Sequence, residues 1–226
     1  MDLLQLREGE IFETLKKIRN FNFALIGGYA VNCYALPRFS VDCDIVVDNA
    51  EEAAKIGKEL ENFAYKKEAG GKLNAYDAAF ARYQKKIKEN FKVSFDILIG
   101  YVLDRQGKST FSAEWVFENS ELRLLKGKTI VEQLKLRVIS PDALFAMKFA
   151  AGRATDIRDV FMLVLQVKSM EWIKEEASKR CNFKERFDII KNKVTSQKFK
   201  DDLQGVFGYV DEKLFERHKK ALAGMG

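Results

Sequence analysis

The chain has 226 residues, 47% of them hydrophobic, and its 39 Lys and Arg against 33 Asp and Glu give a formal net charge of +6 at pH 7. This length can bury a sizeable core and leaves room for one domain with an appendage. The hydrophobic content excludes a disordered chain, whereas the mild positive charge permits a polyanionic partner without requiring one.

The cysteines and the first residues indicate the compartment. Cys33, Cys43 and Cys181 lie far apart without a CxxC pair, which argues against a zinc site or a disulfide framework. The start of the sequence lacks the basic residues and apolar run of a signal peptide, and no apolar window is long enough to cross a bilayer. We therefore expect a cytoplasmic protein with no membrane partner.

Periodicity predicts a mixture of helices and strands in the first part of the chain. Helices are predicted at 3–19, 29–36 and 51–63, and strands at 22–26, 41–47, 79–84, 92–99, 115–117 and 121–125. Gly27 and Gly28 separate the first strand from the second helix, which Pro37 ends. The order of the elements predicts an α/β (α+β) fold.

From Ser140 onward the sequence is typical of helices. Ser140 suits an N-cap and Pro141 suits the first position of a helix. We therefore expect one domain at 1–139 and a C-terminal helical domain at 140–226. The second region holds 17 basic and 13 acidic residues, and so carries +4 of the formal +6.

Two acids alternate along the predicted strand at 41–47. Asp42 and Asp44 share one face of that strand, whereas Cys43 points to the opposite layer. Because adjacent carboxylates repel each other, a divalent cation would make the arrangement favourable. Oxygen ligands without histidine favour Mg²⁺ or Mn²⁺ over zinc. A strand face that is simply solvated is the alternative interpretation.

A glycine pair and a third acid extend this pattern. Gly27 and Gly28 lie where a strand turns into a helix, and glycine lets a phosphate approach the backbone closely, although such pairs also form simple tight turns. Asp96 lies in the apolar strand 92–99, where a carboxylate is costly unless it is paired or bound to a metal. If Asp96 faces Asp42 and Asp44, the three acids can hold two metal ions, and Asp96 can activate an attacking hydroxyl. The alternative is an Asp96 that reaches solvent or a backbone N–H.

These residues resemble the signature of the DNA polymerase β-type nucleotidyltransferase superfamily. A closer similarity, to the AbiEii-type (MenT-like) nucleotidyltransferases of toxin–antitoxin systems, lies in residues 27–31, 38–44, 148–153 and 158–160. The similar segments fall within 25–47, 93–99 and 140–163. The sequence departs from the family at Gly28, where many superfamily members have serine, and at 160–163, where the family block has a further acid.

The resemblance implies a small mixed β-sheet core with flanking helices and a metal-dependent transfer of an NMP from an NTP to an acceptor hydroxyl. The positive charge of the C-terminal helical region favours RNA or tRNA as the acceptor, and the oxygen ligands favour Mg²⁺ or Mn²⁺ as the cofactor. The resemblance implies an antitoxin protein as a partner. A protein or small-molecule acceptor, and a non-catalytic nucleotide- or RNA-binding module of the same fold, are the alternatives.

The resemblance also implies roles for individual residues of the site. The expected nucleotide-binding residues are Gly27, Gly28, Arg38, Ser40, Lys148, Arg153 and Arg158, with Asp42, Asp44 and Asp96 as catalytic and metal-binding residues and Asp156 and Asp159 as supporting residues. Alternation places Ser40 on the face of Asp42 and Asp44. Lys148 could instead extend to solvent at the edge of an apolar helix, and the arginines could instead form ion pairs with Asp156 or Asp159.

Overall fold

The computed structural model describes residues 2–73, 78–89, 91–104 and 107–225. Side chains are described for these residues except within 69–78. The helices are α1 (Leu3–Ile18), α2 (Gly27–Val31), α3 (Ala50–Asn62), α4 (Ala113–Glu118), α5 (Pro141–Ala151), α6 (Ala154–Leu163), α7 (Met170–Ser178), α8 (Phe183–Val194), α9 (Gln197–Phe207) and α10 (Glu212–Ala223). The strands are β1 (Ala24–Leu25), β2 (Asp42–Val47), β3 (Lys66–Leu73), β4 (Ala78–Lys88), β5 (Phe91–Ile99), β6 (Tyr101–Leu103), β7 (Thr110–Ser112), β8 (Ser120–Leu125) and β9 (Leu134–Ile139).

Seven strands form one mixed sheet in the order β3-β4-β5-β2-β1-β9-β8. β2 runs parallel to β5 and β1 runs parallel to β9, whereas the other neighbouring strands are antiparallel. β6 and β7 pair in a separate two-stranded ribbon. The expected mixed α/β fold with a small mixed sheet is confirmed.

The strand register aligns the acids of the sheet. Asp44 in β2 lies opposite Asp96 in the parallel strand β5, and Asp42 lies opposite Ser94. On the other side of β5, Arg82 in β4 is the register partner of Asp96. Because residues paired across neighbouring strands point to the same face, all four charged side chains emerge on one side of the sheet.

Helices α5–α10 follow the last strand of the sheet. The Ser140 hydroxyl accepts the Ala143 N–H and caps α5, as its sequence position predicts. One cluster of buried apolar side chains runs through the sheet and these helices, from Ile11 in α1 to Leu222 in α10. The division at residue 139 stays a prediction. None of the helices in the described ranges is long and apolar enough to cross a membrane.

Several local predictions differ from the structure. Residues 115–117, predicted as a strand, lie in α4, which starts where the Ser112 hydroxyl accepts the Trp115 N–H. The helix predicted at 29–36 is the shorter α2, which begins at Gly27 and ends at Val31. Strand β9 was not predicted, although its side chains alternate between buried and exposed.

Candidate active site

A cavity of about 590 Å³ opens over the face of the sheet that carries the acids. Its polar walls include Asp44 and Asp96 from the sheet, Gly27 from the start of α2, and Lys148 and Arg153 from the α5–α6 region. Its volume falls within the range of roughly 300–1,000 Å³ that is typical of small-molecule sites. The cavity therefore brings acidic and basic side chains into one space large enough for a nucleotide.

The three predicted acids converge beside this cavity. Each of Asp42, Asp44 and Asp96 offers a carboxylate oxygen, and these oxygens lie within 4.8 Å of one another. Burial, and then the neighbouring charges of Asp42 and Asp96, raise the pKa of Asp44 to about 7. Converging hard oxygen ligands that repel one another are the donor set that Mg²⁺ and Mn²⁺ prefer, so these residues fit such an ion.

Arg82 is a charged residue of the site that the sequence reasoning missed. Its Nε donates to Asp96 Oδ1 at 2.7 Å and its Nη2 donates to Asp96 Oδ2 at 2.5 Å. This two-point contact fixes the orientation of the Asp96 carboxylate plane. The predicted strand at 79–84 contains Arg82, but its pairing with Asp96 depends on a cross-strand register that the sequence pattern does not give.

The glycine pair allows the acids and Ser40 to approach the backbone. Gly27 has φ +68°, and a Cβ there would lie 2.0 Å from Asp44 Oδ2. A Cβ at Gly28 would lie 2.4 Å from the Ser40 hydroxyl oxygen. Because α2 has only five residues, its dipole is small, and close approach is the main property that these glycines offer a phosphate.

A network of buried ion pairs lies next to the acidic set. Lys148 Nζ lies 2.9 Å from Asp156 Oδ1 and 3.1 Å from Asp159 Oδ2, and both acids are fully buried. Arg38 donates to both oxygens of Asp159, at 3.1 and 2.9 Å. Burial opposes the charge of Asp159, but Lys148 and Arg38 hold the pKa of this carboxyl below its usual range.

The remaining cations differ in their exposure. The Arg153 side chain is half exposed and its Nε lies 2.6 Å from Asp156 Oδ2. Arg158 is mostly buried, with its Nε 3.7 Å from Asp159 Oδ1 and no hydrogen-bond partner for that Nε within the described part of the chain. The ion pairs weighed as an alternative for the arginines are therefore present, and Lys148 does not extend to solvent.

The structure divides the predicted site residues into two groups. Gly27, Asp44, Lys148, Arg153 and Asp156 line the cavity together with Asp96. Gly28, Arg38, Ser40, Asp42, Arg158 and Asp159 surround this group and are not among the described lining residues. Arg38 is nearly buried and its donors point to Asp159 and the Phe39 carbonyl, a contact set typical of a residue that positions others.

Comparison with known proteins gives one family match. The model of the family described as "Nucleotidyl transferase AbiEii toxin, Type IV TA system" matches residues 19–222. No curated protein matches the chain.

Two of the solved structures that are similar to this chain are described by their coverage and TM-score. A crystal structure from H. pylori, named provisionally as that of a nucleotidyltransferase, is 13% identical and has a TM-score of 0.50, with 100% of this chain and 93% of that chain covered. A structure of ANT(2")-Ia in complex with adenylyl-2"-tobramycin is 14% identical and has a TM-score of 0.47, with 81% of this chain and 98% of that chain covered. At such low identity, the likeness to the H. pylori structure concerns the fold alone.

Proposed function

The chain belongs to the AbiEii nucleotidyltransferase toxin family, and from this premise we propose that it transfers an NMP from an NTP to a hydroxyl of RNA or tRNA with the aid of Mg²⁺ or Mn²⁺. The enzyme class follows from the family. The acceptor, the metal and the roles of individual residues are the content of the proposal.

One observation carries the proposal: Asp44 and Asp96 line the same cavity as Lys148 and Arg153. A metal–triphosphate complex has the complementary charges, since its cation suits the carboxylates and its phosphate oxygens suit the ammonium and guanidinium groups. A cavity with only one sign of charge would not suit both parts of such a ligand.

The chain's own residues divide the work of the transfer. Lys148 and Arg153 bind the phosphates and stabilise the charge that develops on the departing pyrophosphate. Asp96 accepts the proton of the acceptor hydroxyl while that oxygen forms a bond to the α-phosphorus and the bond from phosphorus to pyrophosphate breaks. When bound to Asp42, Asp44 and Asp96, Mg²⁺ or Mn²⁺ supplies positive charge at the α-phosphate and the attacking oxygen.

Charge favours RNA as the acceptor. The C-terminal helical region carries +4 of the formal +6, and a polyanion is attracted to such a surface. Because the family is one of toxins of toxin–antitoxin systems, an antitoxin protein is the second partner that we propose. The three cysteines are free, which accords with action in the reducing cytoplasm.

The test is a transfer assay with each α-labelled NTP, Mg²⁺, total RNA and protein extract. We expect label on RNA with release of pyrophosphate, and we expect Asp42→Ala and Asp96→Ala to abolish both. Asp48→Ala is the matched control, because Asp48 is an exposed acid directly after β2. Label on protein or on a small alcohol would replace the RNA acceptor, and full transfer by Asp42→Ala would refute the metal site.

A further inference from the structure

Among the residues that the structure describes, Arg82 is the one cation that donates two hydrogen bonds to a carboxylate of the predicted metal site. The side chain of Arg82 is 39% exposed and that of Asp96 is 9% exposed. The guanidinium therefore reaches the buried acid from the solvent side, across the β4–β5 register.

We propose that Arg82 is a positioning residue for Asp96, and that its positive charge weakens divalent-cation binding by the three carboxylates until a nucleotide is present. This inference rests on the metal site of the proposed function. It adds a residue that neither the family pattern nor the sequence motifs single out.

The positioning part follows from hydrogen-bond geometry. The guanidinium takes one lone pair of each Asp96 oxygen, and a carboxylate has about four such sites in total. The remaining lone pairs stay open to a cation or to the proton of an acceptor hydroxyl. Arg82 thus holds the carboxylate in one plane without occupying all of its acceptor capacity.

The charge part follows from Coulomb's law. The guanidinium offsets one of the three negative charges, and it repels any divalent ion that approaches the same carboxylate. A bound triphosphate brings several negative charges into the cavity and so compensates for Arg82. The site then takes up its metal together with the nucleotide.

Direct titration with Mn²⁺, followed by electron paramagnetic resonance of the free ion, tests the charge part without any catalytic readout. The full chain is titrated in the absence of nucleotide. We expect Arg82→Gln and Arg82→Met to bind Mn²⁺ about tenfold more tightly than the wild type, since either change removes a unit charge next to a divalent site. Two neutral variants are used so that a folding failure of one, detected by thermal unfolding, leaves the other.

Arg82→Lys tests the positioning part, because it keeps the charge and loses the planar fork. We expect its Mn²⁺ affinity to stay within about twofold of the wild type, while kcat for pyrophosphate release falls about tenfold and the KM for NTP changes less than about threefold. Lys86→Gln is the matched control. Lys86 is an exposed residue on the same strand and face, and its loss should change neither quantity.

Equal Mn²⁺ binding by the wild type and both neutral variants, including no binding by any of them, overturns the charge part. Full kcat in Arg82→Lys overturns the positioning part. Both outcomes are distinct from failure of the proposed function, which is decided by whether Asp42→Ala still transfers label.

Discussion

Asp159→Asn removes the charge at the centre of the buried network. The carboxylate is fully buried, and it contacts Arg38 through two hydrogen bonds and Lys148 at 3.1 Å. The variant leaves Arg38 without its counter-charge and leaves Lys148 with Asp156 alone, and breaking a buried pair in this way costs about 3–5 kcal/mol. For a protein of this size, one kcal/mol shifts Tm by roughly 2–4 °C. We therefore expect a fall in Tm on the order of 10 °C.

Urea unfolding and thermal unfolding followed by circular dichroism measure this loss. Asp188→Asn is the control, because Asp188 is exposed on α8 and its substitution should change stability by less than about 0.5 kcal/mol. Asp159 joins α6 to Arg38, which precedes β2, so we expect one transition that moves as a whole. A loss below about 1 kcal/mol, or separate transitions for the sheet and the helices, would refute the reasoning.

The pH dependence of the same variant has a definite sign. The folded pKa of Asp159 lies below its usual value, so its contribution is present above the ordinary carboxyl pKa of about 3.9 and is lost as pH falls through the folded value. The stability difference between the wild type and Asp159→Asn should therefore be complete at neutral pH and shrink in acid. A difference that stays constant down to the acid transition would contradict the assigned charge.

Three further changes probe the glycine turn and the acidic set. Gly28→Ala should cost about 1–3 kcal/mol in urea unfolding, because its Cβ would lie 2.4 Å from the Ser40 hydroxyl. Ser40→Gly in the same chain should restore at least about 1 kcal/mol, and a purely additive pair would contradict the contact. Gly27→Ala places a Cβ 2.0 Å from Asp44 Oδ2 at φ +68°; it should lower both stability and Mn²⁺ affinity, and wild-type affinity would disprove this crowding. Since the pKa of Asp44 is raised to about 7, the folded metal-free protein keeps a proton on Asp44 at pH values where the unfolded chain has lost it. Its stability should fall by about 3 kcal/mol from pH 4 to pH 7 relative to Asp44→Asn, and parallel pH profiles would refute the shift.

Alternation in the sequence was enough to place Asp42 and Asp44 on one face. A period of two residues is a local property of a strand, and β2 has that period. The position of Asp96 relative to these two acids could not be predicted from the pattern of one strand, because it depends on β5 lying parallel and next to β2. From the sequence, the proximity of Asp96 to Asp42 and Asp44 could be stated only as a condition. In the structure, Asp96 is the register partner of Asp44.

Other features depend on packing between distant segments. The register that brings Arg82 to Asp96 includes an irregularity between Lys86 and Lys88, which no local pattern specifies. The aromatic and β-branched residues at 115–117 favour a strand by composition, yet the Ser112 cap starts a helix there. The exposed or buried state of Arg38 and Lys148 likewise depends on Asp159, which lies far along the chain from Arg38.

The position of β9 in the sheet has a consequence for synthesis of the protein. β9 pairs in parallel with β1, although the two strands are separated by most of the N-terminal half of the chain. The ribosome therefore delivers Asp42, Asp44 and Asp96 well before the strand that completes the sheet and the helices that carry Lys148 and Arg153. Such non-local pairing folds slowly. The nascent chain therefore holds these carboxylates before Lys148 and Arg153 are made, so the cavity that both groups line is completed only late in translation.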